Sequence, residues 1–207
     1  MKQKFAFFDF DDTLIHGDSG KALLLYYFKK KPLAVFRLLK VVILYPLYLL
    51  GVIGLQPVKS SWLFPLDKLS EKELGDFYLT CLVPKYYDNV VTELKSKKRQ
   101  GYIVYICSAS VEAYLRFCDL PVDGIIGTKT AVVNGKYTSK MIGLNCKNGE
   151  KVKRLNEVIK QSDLEIDYDN SYAYSDSTHD IPMLKMVKNR IRINKKNGEM
   201  TPFIIEE

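Results

Sequence analysis

Three apolar runs, far apart in this 207-residue chain, each end in a cluster of polar residues, and no other feature limits the fold so strongly. Residues 4–8 lead into the aspartate-rich stretch 9–13, residues 102–107 into Ser108 and Ser110, and residues 172–174 into the acidic stretch 176–180. Short apolar runs bounded by turn residues read as buried strands. The segments between them have helical character: 22–55, 71–82, 86–100 closed by Gly101, 111–118, 149–161 and 181–187. Further strands are expected at 124–127 and 190–193, with a hairpin over 130–138 turning on Asn134-Gly135. Strands alternating with helices imply an α/β fold, a mostly parallel sheet with helices on both faces. Ligands of such sheets bind outside the carboxyl ends of the strands, so the three polar clusters are expected to meet at one edge.

The carboxylates in those clusters narrow the chemistry. Asp9, Asp11 and Asp12 lie within four residues, and like charges so close are costly unless a cation neutralises them. Oxygen-only ligands suit Mg²⁺, and Asp176 adds a carboxylate from another strand end. In an extended segment Asp9 and Asp11 point the same way. One can then hold metal and attack phosphorus while the other handles a proton. Ser108 can donate to a phosphate, and a lysine can balance its charge. One such cluster alone is more often a turn or a helix cap. Three of them, with a lysine between the last two, point to a site.

The net charge of +7 and pI of about 9.0 favour anionic partners, or serve solubility alone. No basic run is interleaved with aromatics on a strand platform, so no nucleic-acid partner is expected. Cys81, Cys107, Cys118 and Cys146 have neither metal-finger nor CxxC spacing, which fits a reducing cytoplasm. The apolar stretch at residues 5–8 is too short for a signal peptide.

Four segments together resemble the haloacid dehalogenase superfamily. Asp9-Phe10-Asp11-Asp12-Thr13-Leu14 is similar to its motif I, Ile106-Cys107-Ser108 to motif II, Gly149-Glu150-Lys151-Val152 to the lysine-bearing motif III, and Tyr174-Ser175-Asp176-Ser177-Thr178-His179-Asp180 to the acidic motif IV. Their order and flanks resemble subfamily IB, the phosphoserine-phosphatase-like hydrolases, from residue 5 to about 195. The resemblance implies a Rossmann-like open parallel sheet built from residues 1–15 and 85–207, with a helical type 1 cap at 16–84. It implies a Mg²⁺-dependent phosphatase acting through an aspartyl-phosphate. Asp9 would be nucleophile and metal ligand, and Asp11 general acid/base with its carbonyl on the metal. Thr13, Ser108 and Ser110 would hold the phosphate, and Lys151 would neutralise it. Asp176 would bind metal, and Asp180 would bind it directly or order its waters. Lys147 is the alternative to Lys151. Asp12 replaces the glycine common in motif I, and His179 is expected to face solvent.

The cap region is unusual. Residues 41–55 carry no charge and are interrupted by Pro46, with Lys29, Lys30, Lys31, Arg37 and Lys40 just before. The segment is short of the about 20 residues a spanning helix needs. Three readings stand: a helix buried on the core or a second subunit, a helix dipping into an acidic membrane interface, and a spanning segment. Some members of the subfamily with a similar apolar cap act on phosphatidylglycerophosphate. The rival substrate class is a small soluble phosphomonoester such as phosphoserine. The expected location is the cytoplasm, with peripheral contact at the inner face of the membrane. A phosphotransferase and an inactive binding module are the competing functions; the module has no need of Asp11.

Overall fold

The computed structural model describes residues 1–205. Its strands are β1 (Lys2–Gln3), β2 (Phe5–Phe8), β3 (Ile103–Val111), β4 (Gly124–Thr128), β5 (Thr130–Val133), β6 (Lys136–Met141), β7 (Glu165–Ile166), β8 (Tyr172–Ser175), β9 (Asn189–Ile193) and β10 (Met200–Pro202). Its α-helices are α1 (Ser19–Lys30), α2 (Leu38–Leu49), α3 (Leu55–Trp62), α4 (Glu71–Phe77), α5 (Asp88–Arg99), α6 (Glu112–Leu115), α7 (Gly149–Gln161) and α8 (Ile181–Leu184).

β2 is buried along its length because it lies inside the sheet with helices on both faces. Its side chains alternate: Ala6 and Phe8 join one apolar cluster, Phe5 and Phe7 the other. Val90, Val91 and Leu94 of α5 cover the first face; Leu155 and Ile159 of α7, with Met183 and Leu184 of α8, cover the second. Fully burying each such side chain contributes about 1.5–3 kcal/mol. The main sheet runs β10-β9-β8-β2-β3-β4, parallel except for the β10–β9 pair. The strand order reverses at β2, which has β3 on one side and β8 on the other. This is the topological switch point where open α/β sheets bind ligands. Phe8 is level with Ile106 and Tyr174 in the ladder, so the three polar clusters leave the sheet side by side.

Several boundaries differ from expectation. The strand expected at 102–107 continues to Val111, with a register shift between Cys107 and Val111. Such bulges re-aim side chains beside active sites. The helix that follows shrinks to Glu112–Leu115, and that at 181–187 to Ile181–Leu184. The β1–β7 pair and the antiparallel edge strand β10 went unread.

The insertion is helical throughout, and the stretch 22–55 is not one helix but α1, a 3₁₀ turn opening on Pro32, and the α2–α3 hairpin. Backbone pairing closes its base: Ile15 bridges Tyr86, and His16 N–H donates to Lys85 O at 2.8 Å. Leu23, Phe64, Leu74 and Phe77 belong to the same cluster as Ala6 and Phe8, so the insertion shares a core with one face of the sheet.

Of the readings of 41–55, burial on this chain's own core is not what the structure shows. α2 packs on α3 and the preceding 3₁₀ turn and buries none of its residues. Leu39, Val42, Ile43, Leu49, Leu50 and Val52 are all exposed. The apolar segment Pro32–Leu49, mean hydropathy 1.7, passes the composition test for a span with none of it buried. Only twelve of those residues form α2, about 18 Å of helix against a bilayer core of about 30 Å.

Candidate active site

Asp9 follows β2 and is 8% exposed. Its N–H is tied to Tyr174 O at 3.0 Å, and its Oδ1 accepts from Lys151 Nζ at 2.7 Å. Lys151 lies in the first turn of α7, is 2% exposed, and reaches Asp180 Oδ1 at 2.8 Å as well. Of the two candidate lysines, Lys151 therefore meets Asp9; Lys147 lines the cleft outside. Burial pushes the Asp9 carboxyl well above the usual range, and Lys151 opposes it. Burial lowers the Lys151 ammonium, but Asp9 and Asp180 outweigh that and hold its pKa above the ordinary value.

Asp11 is held at both oxygens. Oδ1 accepts the N–H of Ser19, the first residue of α1, at 2.7 Å, and Oδ2 accepts a short hydrogen bond from Ser110 Oγ. Burial raises its pKa to about 6 against those hydrogen bonds. Asp12 sits at φ +52°, the left-handed region that glycine enters freely and aspartate tolerates, which explains the departure from the glycine of motif I. Its Oδ1 accepts from Gly17 N–H at 2.8 Å.

Three residues expected at the phosphate or the metal also meet neighbouring protein groups. Thr13, expected at the phosphate, has its hydroxyl on Asp176, accepting that residue's N–H at 3.1 Å and lying 3.5 Å from its Oδ1. Ser110, also expected at the phosphate, is committed to Asp11 and Ser19. Asp180, expected to serve the metal, has Oδ1 on Lys151 and Oδ2 on Ser175 Oγ at 2.8 Å. Ser108 Oγ accepts Ser110 N–H at 3.1 Å, and among the described residues its own proton has no acceptor. A Cβ on Gly127 would stand 2.8 Å from Ser110 O, so this bulged stretch needs glycine on the neighbouring strand. His179 is exposed, as expected.

The types of residue gathered here would suit one divalent cation. Asp9, Asp11, Asp176 and Asp180 converge here with one lysine among them, and burial raises Asp176 too. Among the described residues no three acidic, histidine or cysteine side chains close around one point. Asp9, Asp176 and the Asp11 carbonyl, completed by water, would be oxygen donors of the kind that Mg²⁺ takes.

Sequence reasoning missed Ser19, Tyr114, Ser175 and Lys59. Asp18 caps α1 through Lys21 N–H at 2.7 Å, a readable signal for a helix start that would place Ser19 beside the aspartates. Nothing in the sequence singles out Lys59, which reaches from α3 to Ala109 O at 2.6 Å and to Asn145. Burial pushes its ammonium down to about 8. It lines a cleft of about 1610 Å³ between the hairpin and the site, whose walls include Val41, Tyr45, Leu55, Trp62 and Leu144.

Comparison with known proteins agrees with this fold. A histidinol-phosphatase of Neisseria meningitidis serogroup C (strain 8013) is 28% identical over 198 residues, covering 91% of this chain and 89% of that protein. Among solved structures, a protein of unknown function from Bordetella pertussis Tohama I superposes with a TM-score of 0.74 at 22% identity, covering 93% of this chain and 91% of the other. A phosphoserine phosphatase in its apo form gives 0.65 at 18% identity, over 93% and 86%. The family model for haloacid dehalogenase-like hydrolases matches residues 6–185. Matched over that length and sharing the fold, the chain belongs to the haloacid dehalogenase-like hydrolase family, and its enzyme class is phosphatase.

Proposed function

We propose that the chain hydrolyses phosphomonoesters with Mg²⁺, through an aspartyl-phosphate on Asp9. The observation that carries this is the buried Lys151 bridging Asp9 and Asp180, with Asp11 two residues on and held at both oxygens. An Asp9 oxygen attacks phosphorus, and the bond to the leaving alkoxide breaks as Asp11 protonates it. Asp11 then takes a proton from the water that attacks the acyl phosphate, releasing phosphate and restoring Asp9. Lys151 and Ser108 stabilise the phosphoryl oxygens. Thr13 braces Asp176, Ser110 braces Asp11, and Asp180 holds Lys151. Mg²⁺, when bound by Asp9, Asp176 and the Asp11 carbonyl, supplies positive charge to the same oxygens.

Phosphoryl transfer to Asp9 needs Asp11 protonated. With burial raising Asp11 to about 6, its protonated fraction falls above that pH, and kcat/KM on an alkyl phosphate falls with it. In Asp11→Asn that limb of the pH profile disappears, while the limb from ionisation of the substrate remains.

The substrate we favour has an apolar body: a lipid phosphate such as phosphatidylglycerophosphate, met at the inner face of the membrane by a cytoplasmic enzyme. The apolar walls of the cleft support it, as does the exposed face of α2. Residues 19–66 include seven lysines and arginines and no carboxylate, which suits an acidic bilayer. An exposed apolar surface of this extent is unusual for a protein without a partner. A small soluble substrate such as histidinol phosphate is the second reading, favoured by the Neisseria relative and by Asp18 in the cleft. Assays with Mg²⁺ on lipid phosphate in acidic vesicles, histidinol phosphate and phosphoserine separate the two. The lipid reading expects the highest kcat/KM on the vesicles and salt-sensitive sedimentation with them. Leu39→Ser/Ile43→Ser should lose both while keeping the rate on p-nitrophenyl phosphate. A preference for histidinol phosphate, or no sedimentation at low salt, defeats the lipid reading.

A further inference from the structure

A line of hydroxyls ends on Asp11. Tyr114 Oη lies 2.8 Å from Ser19 Oγ, Ser19 Oγ lies 2.7 Å from Ser110 Oγ, and Ser110 Oγ meets Asp11 Oδ2. Tyr114 is 1% exposed and Ser19 is fully buried, so water does not compete for these groups. Ser110 Oγ donates to Asp11 Oδ2, and a hydroxyl has one proton to give. Ser19 must therefore donate to Ser110, and Tyr114 to Ser19. Each hydroxyl donates once and accepts from the one behind it, and bonds aligned this way polarise one another. The backbone N–H of Ser19 meanwhile holds the other Asp11 oxygen. That N–H is one of the free donors at the start of α1, where a carboxylate is favoured.

The chain of hydroxyls joins separate parts of the molecule. Ser19 opens the first helix of the insertion, Ser110 lies on the bulged end of β3, and Tyr114 comes from α6 beneath. Both Asp11 oxygens thus depend on the seating of α1, one directly and one through Ser110.

We propose that Tyr114 and Ser19 are positioning residues for Asp11, aiming its carboxyl at the leaving-group oxygen and making that aim depend on how the insertion docks. This rests on the phosphatase reading above. The alternative is that Ser19 merely satisfies the buried Tyr114 hydroxyl, which would otherwise be costly.

Leaving-group dependence distinguishes the two. Glycerol 2-phosphate leaves as an alkoxide that needs a proton, whereas p-nitrophenolate departs without one. kcat/KM reports only the steps up to cleavage of the ester, so hydrolysis of the acyl phosphate does not enter. Tyr114→Phe, which keeps the ring, should lower kcat/KM on glycerol 2-phosphate about tenfold, the scale of one lost hydrogen bond. On p-nitrophenyl phosphate the loss should stay under about threefold, since proton transfer contributes little there. Ser19→Ala, which retains the N–H, should show the same asymmetry, and Asp11→Asn a larger one. Equal losses on the two substrates, or no loss on either, overturn the proposal. A wild-type enzyme that turns over neither substrate with Mg²⁺ removes the phosphatase reading and this one with it.

Discussion

Asp9→Asn will abolish turnover, lowering kcat by at least about 10⁴-fold, the scale on which removal of a nucleophile acts. The amide cannot form the acyl phosphate, and no other carboxylate is placed to replace it. Asp11 is engaged by Ser19 and Ser110, Asp180 by Lys151 and Ser175, and Asp176 by Thr13. The same substitution will leave the melting temperature unchanged or raise it. Burial lifts the Asp9 carboxyl well above its ordinary range, so the ionised form works against the folded state and a neutral amide of the same shape does not. Steady-state assays with Mg²⁺ and a thermal melt check both halves. A variant that is inactive but also strongly destabilised would show that Asp9 mainly holds the fold.

Lys151→Met is expected to cost stability and activity together. It leaves Asp9 and Asp180 facing each other, buried and without a cation. Removing one partner of a buried ion pair costs about 3–5 kcal/mol. For a chain of this size each kcal/mol moves the melting temperature by about 2–4 °C. The loss should depend on pH in a defined direction. In the variant the Asp9 carboxyl, lifted by burial and no longer opposed by Lys151, has a folded-state pKa above its unfolded one, so the folded state binds a proton that the unfolded state does not. Stability therefore rises as pH falls through that folded-state range and is lowest above it. Melts from pH 8 down to pH 5 that narrow the gap to wild type agree with this; a gap that stays constant or widens contradicts it. Asp180→Asn in the Lys151→Met background should recover part of the stability at pH 8, because it removes one of the two unpaired charges.

The site was legible where chemistry and local geometry coincide. The aspartates after β2 and the serine after Cys107 could be read because apolar runs end abruptly in polar residues. The hairpin at Asn134-Gly135 and the helix Gly149–Gln161 were read closely for a similar reason: a turn dipeptide and a strong 3.6-residue period leave little choice. β1 and β7, two residues each, carry no period to read, and β10 is held only by pairing with β9. Thr13, Ser110 and Asp180 were placed in the right neighbourhood, but their protein partners Asp176, Asp11 and Lys151 were not read. A polar residue near a phosphate site can face the substrate or face another catalytic group, and the residue type is the same in both cases.

By itself the sequence determined that three strand ends would meet, that carboxylates would crowd there, and that a lysine would lie between the last two clusters. Those conclusions follow from side-chain period and charge, which are properties of neighbours along the chain. Only the tertiary structure decided which lysine reaches Asp9, that Ser19 and Tyr114 stand behind Asp11, and that α2 leaves its apolar face in the open. Each of these depends on distances between residues remote in sequence, set by how helices pack on the sheet and on one another, and no local pattern encodes such distances.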